Sequence, residues 1–160
     1  MALIALSFVG PALVAGRSRK VPVLLLLAIG HLESGHYNRM PLGSKNPFGM
    51  KYRSRHAFKV HAATKEGADL HDSVEAFAGY DSYQDAFNDL AWLLSVNGTY
   101  KAAIAGWYDR GVPRSWTKWH RMLAHIGSAY AGDPEWANKV YNSSRTVANA
   151  LRDYQGSGNA

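Results

Sequence analysis

The sequence contains no cysteine, which excludes disulfide bonds, thiol catalysis and cysteine-ligated metal sites. Acidic residues are also scarce: 12 Asp and Glu stand against 18 Lys and Arg, for a formal charge of +6. This excess favours an anionic partner such as nucleic acid, an acidic membrane or an anionic wall polymer. Aromatic residues, 12% of the chain, suit stacking on either sugars or bases, so composition leaves the partner class open. With 160 residues and 47% apolar content, the chain is long enough for one domain with its own core.

Long hydrophobic runs are missing as well. Residues 2–16 carry no charge, but about fifteen residues are too few to span a membrane comfortably, and Pro11 interrupts them. No Lys or Arg precedes this segment, as one would in a signal peptide. We therefore predict two buried helices joined by a basic turn at residues 17–20, with no clear signal peptide. An export signal or membrane anchor is the alternative.

Turn signals and hydrophobic spacing divide the rest of the chain. A helix is predicted from Pro22 to about Ser34, followed by a loop rich in Gly, Pro and Asn. Alternation from Phe58 onward predicts a small hairpin with its turn at 67–72. Further helices are predicted at 82–97, at 100–107, around 116–126 and from 133 onward. The predicted fold is α+β and mostly α, in one domain (1–154) with a flexible tail (155–160).

Glu33 is the first candidate for chemistry. It ends a very apolar helix, and both burial and the negative end of the helix dipole should raise the pKa of its carboxyl group. A carboxyl group that stays protonated near neutral pH is what a general acid for a glycosidic oxygen needs. A solvated glutamate at a helix end is the alternative.

A second carboxylate is needed to stabilise an oxocarbenium ion or to activate water. Most other acidic residues have ordinary explanations, such as helix capping by Asp133. Glu66, at the predicted hairpin tip, could lean over a cleft floored by Glu33. A solvated surface charge is the alternative.

Metal and serine chemistry are not favoured. His31 and His36 are five residues apart with a helix-ending Gly35 between them, whereas a zinc helix spaces its histidines four apart. Ser34 lacks the glycine-flanked motif of a serine nucleophile. We predict no metal and no cofactor.

Basic residues cluster at 17–20, 39–55 and 110–121, and aromatic residues interleave with the last two clusters. One interpretation is a basic, aromatic-lined groove for an anionic polymer. The other is solvated loops with core tryptophans, and the core is the preferred location for Trp116 and Trp119.

Five segments, in order, resemble the signature of the glycoside hydrolase family 73 glucosaminidases. They are 28–35 (Ala-Ile-Gly-His-Leu-Glu-Ser-Gly), 46–51 (Asn-Pro-Phe-Gly-Met-Lys), 64–66 (Thr-Lys-Glu), 77–82 (Phe-Ala-Gly-Tyr-Asp-Ser) and 130–137 (Tyr-Ala-Gly-Asp-Pro-Glu-Trp-Ala). Each segment alone would be a weak signal, and their shared order over about residues 8–150 makes the resemblance specific. The chain has His-Tyr at 36–37, where the family usually has Trp-Gly.

The resemblance implies a lysozyme-like helical domain with a small β-hairpin lobe flanking the cleft. It implies that Glu33 is the general acid and Glu66 the second carboxylate. It also implies substrate-binding residues, which are Asn46, Phe48, Tyr80 and Tyr130.

The predicted function is that of an endo-β-N-acetylglucosaminidase, cleaving the β-1,4 bond after N-acetylglucosamine in bacterial peptidoglycan. The predicted partners are peptidoglycan glycan strands, with anionic wall polymers or a membrane surface attracting the basic chain; nucleic acid is not predicted. A monomer acting at the cell wall or periplasm is expected. The compact build favours a phage endolysin, made in the host cytoplasm and released to the wall, and a subunit of a larger machine is the alternative. The alternatives are a lytic transglycosylase or muramidase on the same fold, or a non-enzymatic module that binds polymers through its basic surface.

Overall fold

The computed structural model describes residues 6–66, 71–107, 111–130 and 132–157. Within them the chain forms six helices and a two-stranded antiparallel sheet, so the prediction of an α+β, mostly helical fold is confirmed. In chain order the elements are α1 (Leu6–Arg19), α2 (Val23–Glu33), β1 (Phe58–Glu66), β2 (His71–Gly79), α3 (Tyr83–Val96), α4 (Gly98–Ile104), α5 (Trp116–Tyr130) and α6 (Trp136–Gly156).

Helix α2 lies at the centre of the core. Every residue from Val23 to His31 is buried, as an apolar sequence without a polar face requires. The helix is covered by α1, α3 and α6, which pack around it. Its bounds agree with the prediction, since Pro22 precedes the first turn and Ser34 caps the last one.

Helix α1 forms one of these covering layers, and residues 2–5 of the predicted first helix lie outside the described residues. The basic segment is mostly helical rather than a separate turn: Arg17 and Arg19 occupy the last turn of α1, where cations stabilise the helix dipole. The chain turns only at Lys20, whose φ is 56°. No helix in the described part of the chain has the length and apolar character to cross a bilayer.

The hairpin pairs β1 with β2 in one continuous register, from Phe58 opposite Gly79 to Glu66 opposite His71. The predicted turn at 67–72 was too long, because pairing with Glu66 already places His71 in β2. The residues between the strands lie outside the described part of the chain. The hairpin is therefore a two-stranded lobe that projects from the helical domain.

The segment around residues 97–98 has two roles. It ends α3, as predicted, but the side chain of Asn97 also accepts hydrogen bonds from the backbone N–H groups of Thr99 and Tyr100. Asn97 thus caps α4, which begins and ends a few residues earlier than predicted.

Helix α6 begins later than the predicted start directly after Asp133. The side chain of Asp133 accepts a hydrogen bond from the N–H of Glu135 (2.9 Å), and its carbonyl accepts one from Trp136 (3.1 Å). These bonds close a turn before the helix, so Trp136 is the first helical residue.

The end of α6 also differs from the prediction, since Gln155 and Gly156, the first two residues of the predicted tail, are helical. The N–H of Ser157 caps this extension through the carbonyls of Asp153 (3.1 Å) and Tyr154 (3.3 Å). Residues 158–160 of the predicted tail lie outside the described part.

Candidate active site

Glu33 is the last residue of α2 and lies in a cleft of about 460 Å³. The apolar part of α2 is anchored in the core, so the end of the helix holds the carboxyl group at a fixed place on the surface. Among the described residues that line the cleft, Glu33 is the only acidic one. The other lining residues are Phe48, Gly49, Met50, Lys51, Arg53, Arg55, Leu93, Tyr100 and Tyr130.

The pKa of Glu33 is raised above its ordinary value. The main cause is desolvation by the cleft walls, although the side chain still reaches solvent. Attraction to the indole N–H of Trp136 opposes the rise, repulsion from Asp133 adds to it, and Lys139 opposes it. The direction is the one predicted from the position of Glu33 at the end of a buried helix.

The indole of Trp136 was not among the candidate site residues predicted from the sequence. It is 2% exposed, and its N–H meets no acceptor in good hydrogen-bond geometry among the described residues. Asp133, which was predicted only as a cap, forms an ion pair with Lys139 (2.5 Å) and influences the Glu33 carboxyl group through its charge. The signature segment 130–137 contains both residues and was the signal that pointed here, but Asp133 was explained by helix capping alone.

Ser34 has a structural role. Its hydroxyl donates to the carbonyl of Gly30 (2.6 Å) and accepts from the N–H of Tyr37 (2.7 Å), and the residue is 1% exposed. These bonds hold a tight turn after α2 in which Gly35, His36 and Tyr37 all have positive φ (55°, 65° and 64°).

Tyr37 occupies the position where the family usually has glycine, which tolerates positive φ without strain. Here the strain is offset by buried contacts. The Tyr37 hydroxyl donates to the carbonyl of Leu27 (2.8 Å), and its ring stacks on Phe8 with centroids 4.2 Å apart.

His31 and His36 stack on each other with ring centroids 4.3 Å apart. Burial, and to a lesser extent the charge of His36, lowers the pKa of His31 to about 4. The Nδ1 atom of His31 lies 3.1 Å from the hydroxyl of Ser143 on α6. Within the ranges that the structure describes, no three His, Asp or Glu side chains are grouped so that they could hold a metal ion.

Asn46 and Phe48 build one wall of the cleft. The amide group of Asn46 donates to the carbonyls of Met50 (2.9 Å) and Ala78 (3.0 Å), and it accepts from the N–H groups of Met50 (3.1 Å) and Phe48 (3.3 Å). Asn46 is 1% exposed, so it shapes the cleft by tying its loop to β2. The ring of Phe48 is also buried, packs edge-on against Phe87 and lines the same cleft as Glu33.

Tyr80 belongs to a cluster beside the cleft. Its hydroxyl donates to Asp89 on α3 (2.6 Å), and Asp89 also accepts from Arg55 (3.2 Å) and lies 2.9 Å from Nε2 of His56. Nδ1 of His56 accepts from the N–H of Arg53 (2.7 Å), so Nε2 is the nitrogen that donates to Asp89. The cluster fastens the segment 53–56 to α3, and Tyr80 acts on the cleft through that segment.

Tyr130 ends α5 and lies in the same cleft as Glu33. Its ring is partly buried between Tyr100 (centroids 5.9 Å apart) and Trp136 (4.9 Å). Desolvation, followed by the nearby charge of Glu33, raises the pKa of Tyr130, so its hydroxyl stays protonated and can donate a hydrogen bond.

Glu66 ends β1, opposite His71. Its backbone places it at the far end of the hairpin lobe, and its side chain lies outside the described part of the chain. The structure therefore brings Glu33, Phe48 and Tyr130 together, with Asn46 and Tyr80 supporting the cleft from behind.

The tryptophans of the basic segment 110–121 lie in or against the core, as preferred. Trp119 is 1% exposed and donates from Nε1 to the hydroxyl of Ser144 (3.0 Å). Trp116 is partly buried, with the guanidinium of Arg145 above its ring. The basic residues that do line the cleft come instead from the loop before β1.

A helical domain with a hairpin lobe, and a cleft that holds a glutamate of raised pKa, are the features of a lysozyme-like glycoside hydrolase. Residues 11–149 match the Glucosaminidase family model, described as mannosyl-glycoprotein endo-beta-N-acetylglucosaminidase. The chain belongs to this family, the glucosaminidases of glycoside hydrolase family 73. Among curated proteins, none matches the chain significantly.

Solved structures support the same assignment. A peptidoglycan hydrolase from Sphingomonas sp. A1 is 30% identical, with 96% of this chain and 94% of that chain covered and a TM-score of 0.67. The glycoside hydrolase domain of FlgJ from Salmonella typhimurium is 25% identical over 96% of this chain and 92% of that chain, with a TM-score of 0.69. The catalytic domain of the autolysin Auto from Listeria monocytogenes shares the fold at 21% identity, with 95% and 88% covered and a TM-score of 0.68.

Proposed function

We propose that this protein is an endo-β-N-acetylglucosaminidase that hydrolyses the β-1,4 bond after N-acetylglucosamine in bacterial peptidoglycan. The observation that carries the proposal is Glu33, a carboxyl group with a raised pKa in the cleft of a Glucosaminidase-family fold. Similarity to the peptidoglycan hydrolase from Sphingomonas sp. A1, which covers 96% of this chain, supports the choice of substrate.

Glu33 acts as the general acid. Its raised pKa keeps more of the carboxyl group protonated near neutral pH, and the proton passes to the glycosidic oxygen as the bond to the anomeric carbon breaks. The resulting Glu33 carboxylate is then stabilised by the N–H of Trp136 and the charge of Lys139, the two groups that lower its pKa. The surroundings of Glu33 therefore favour the protonated form before the transfer and stabilise the carboxylate that remains after it.

Glu66 supplies the second carboxylate, which stabilises the oxocarbenium-like transition state or activates the attacking water. A hairpin lobe can carry such a residue over the sugar without disturbing the helical core. A separation of about 5–5.5 Å between the two carboxyl groups would suit direct nucleophilic attack, and about 6.5–9.5 Å would suit attack by water.

The sugar is held by the cleft aromatics. Tyr130 and Phe48 line the cleft and offer a ring edge, a ring face and a phenol hydroxyl to the pyranose. Asn46 and Tyr80 position this surface from behind through their buried hydrogen bonds.

The test is Glu33→Gln, with Glu135→Gln as the matched control because Glu135 is exposed and does not line the cleft. We expect E33Q to abolish release of reducing ends from purified peptidoglycan with an unchanged circular dichroism spectrum, and E135Q to keep the wild-type rate.

Glu66→Gln should lower the rate less than E33Q does, with partial rescue by a small anion such as azide. A wild-type rate for E33Q would show that Glu33 is not the general acid. A wild-type protein that releases no reducing ends but binds the wall in a salt-sensitive way, with E33Q binding equally well, would favour the non-enzymatic alternative.

Mass spectrometry of the released muropeptides identifies the reaction. Reducing N-acetylglucosamine ends support the proposal. Reducing muramic acid ends would indicate a muramidase, and anhydro-muramic ends a lytic transglycosylase. Endolysin origin, a monomeric state and a one-domain chain stay predictions of the sequence, as does attraction of the basic chain to anionic wall polymers or a membrane surface.

A further inference from the structure

The cleft that contains Glu33 has a cationic side. Lys51, Arg53 and Arg55 line it, all from the loop that leads into β1. N-acetylated sugars of a glycan strand carry no charge. The lactyl carboxyl group of a muramic acid that bears a peptide stem forms an amide bond with that stem and is also uncharged. In intact peptidoglycan the free carboxylates therefore belong to the stems, through acidic side chains, α-carboxyl groups and the terminal residue.

Two of the three cations are already paired within the protein. Lys51 forms an ion pair with Glu75 on β2 (2.7 Å). Arg55 binds Asp89 (3.2 Å) and stacks over the ring of Trp92. These pairs hold the loop in place, and their charges are largely satisfied.

Arg53 differs from its neighbours. Its guanidinium donates only to the carbonyl of Tyr52 (3.1 Å), and no carboxylate of the described residues lies within ion-pair distance. The side chain is exposed within the cleft lining, so most of its five N–H donors face solvent.

The backbone beneath Arg53 is rigidly supported. Its N–H donates to His56 (2.7 Å), which in turn lies 2.9 Å from Asp89 on α3. The carboxylate of Asp89 also accepts from Tyr80 and Arg55, so one partly buried acidic group fixes the whole 53–56 segment. An arginine presented from such a segment loses little further backbone entropy when it binds a ligand.

We propose that Arg53 is a specificity-determining residue that binds a free carboxylate of the peptide stem on the glycan strand in the cleft. The planar guanidinium matches a carboxylate in a two-pronged hydrogen bond. The contact holds a stem-bearing strand beside Glu33 and adds nothing for a strand whose stems are uncharged. The inference rests on the proposed hydrolysis of peptidoglycan and names the part of the substrate that the cleft selects.

The experiment compares two forms of one substrate: purified peptidoglycan stripped of wall polymers, and the same material with its carboxylates converted to methylamides by carbodiimide and methylamine. For the wild-type protein we expect kcat/KM on native peptidoglycan to exceed that on the capped form about tenfold, the effect of one charge-assisted hydrogen bond. The ratio should shrink as NaCl is raised, since exposed charges are screened.

Arg53→Gln should bring the ratio of native to capped substrate close to one. Lys59→Gln is the matched control, because Lys59 is exposed on β1 of the same lobe, does not line the cleft and loses the same charge. It should keep the wild-type ratio. An R53Q ratio still near ten, or a wild-type ratio near one, would overturn the inference while leaving hydrolysis intact. A wild-type protein that cleaves neither form would overturn the proposed function and this inference together.

Discussion

Asn46→Ala tests whether the cleft wall depends on one buried amide. The side chain makes four hydrogen bonds to backbone groups of Phe48, Met50 and Ala78, and it is 1% exposed. Each such bond contributes about 1 kcal/mol net, so the substitution should lower the free energy of unfolding by about 3 to 5 kcal/mol. That is a large part of the roughly 5–15 kcal/mol available to a domain.

Urea denaturation followed by circular dichroism measures this loss, and Asn97→Ala is the control. Asn97 also accepts two backbone hydrogen bonds, but it is an exposed helix cap, so its loss should cost only about 1 kcal/mol. The rate of wall lysis by folded N46A should fall as well, because the loop that carries Phe48 loses its tie to β2.

Asn46→Asp sharpens the test. The new carboxylate keeps both acceptor bonds but directs an oxygen at the carbonyls of Met50 and Ala78, where the amide had two N–H donors. N46D should therefore be as unstable as N46A at neutral pH and should recover as the pH falls, once the protonated carboxyl group can donate again. An N46A protein within about 0.5 kcal/mol of wild type would refute the reasoning, since surface substitutions without such bonds have effects of that size.

Two further substitutions probe the packing around α2. Gly30→Ala should destabilise the protein by about 1–3 kcal/mol despite the better helix propensity of alanine, because the added methyl group would lie 2.7 Å from the Tyr37 hydroxyl and 3.0 Å from the Phe48 ring; a raised melting temperature would contradict it. His31→Gln should flatten the pH dependence of stability. In the wild type the pKa of His31 is lowered to about 4 by burial and by His36, so its contribution is fully present above pH 6.5. As the pH falls towards 4, His31 binds a proton in the unfolded chain but not in the folded one, which lowers the free energy of unfolding by up to about 3 kcal/mol. Equal slopes for both proteins in unfolding titrations between pH 7 and 4 would count against this burial.

Local signals in the sequence were enough to locate the helix that ends at Glu33. The apolar run after Pro22 needs cover on every side, and Ser34 and Gly35 end it, so α2 and the position of Glu33 at its terminus follow from neighbouring residues alone. The alternation that begins at Phe58 likewise predicted the hairpin, because strand periodicity is a local property.

Local signals gave incomplete predictions where one residue can form hydrogen bonds with either of two neighbouring segments of the chain. Asp133 was predicted as a helix cap, but its bonds to Glu135 and Trp136 close a turn that delays α6. Asn97 was predicted as an ending, and it is also the cap of the next helix. Side-chain hydrogen bonds compete with the helix at such positions, and the choice depends on how the following helix packs.

The sequence by itself determined that a glutamate ends a buried helix, that a hairpin lobe follows and that the chain is basic. The tertiary structure decided what surrounds that glutamate. Three residues near Glu33 lie about a hundred positions later in the chain, namely Tyr130, Trp136 and Lys139. No local sequence pattern predicts that they lie close to Glu33. The same holds for Asp89, which fixes Arg53 at the cleft through His56. Burial and charge act through space, so the pKa of the acid and the surface offered to the substrate arise only when α5, α6 and the loop before β1 pack around the end of α2.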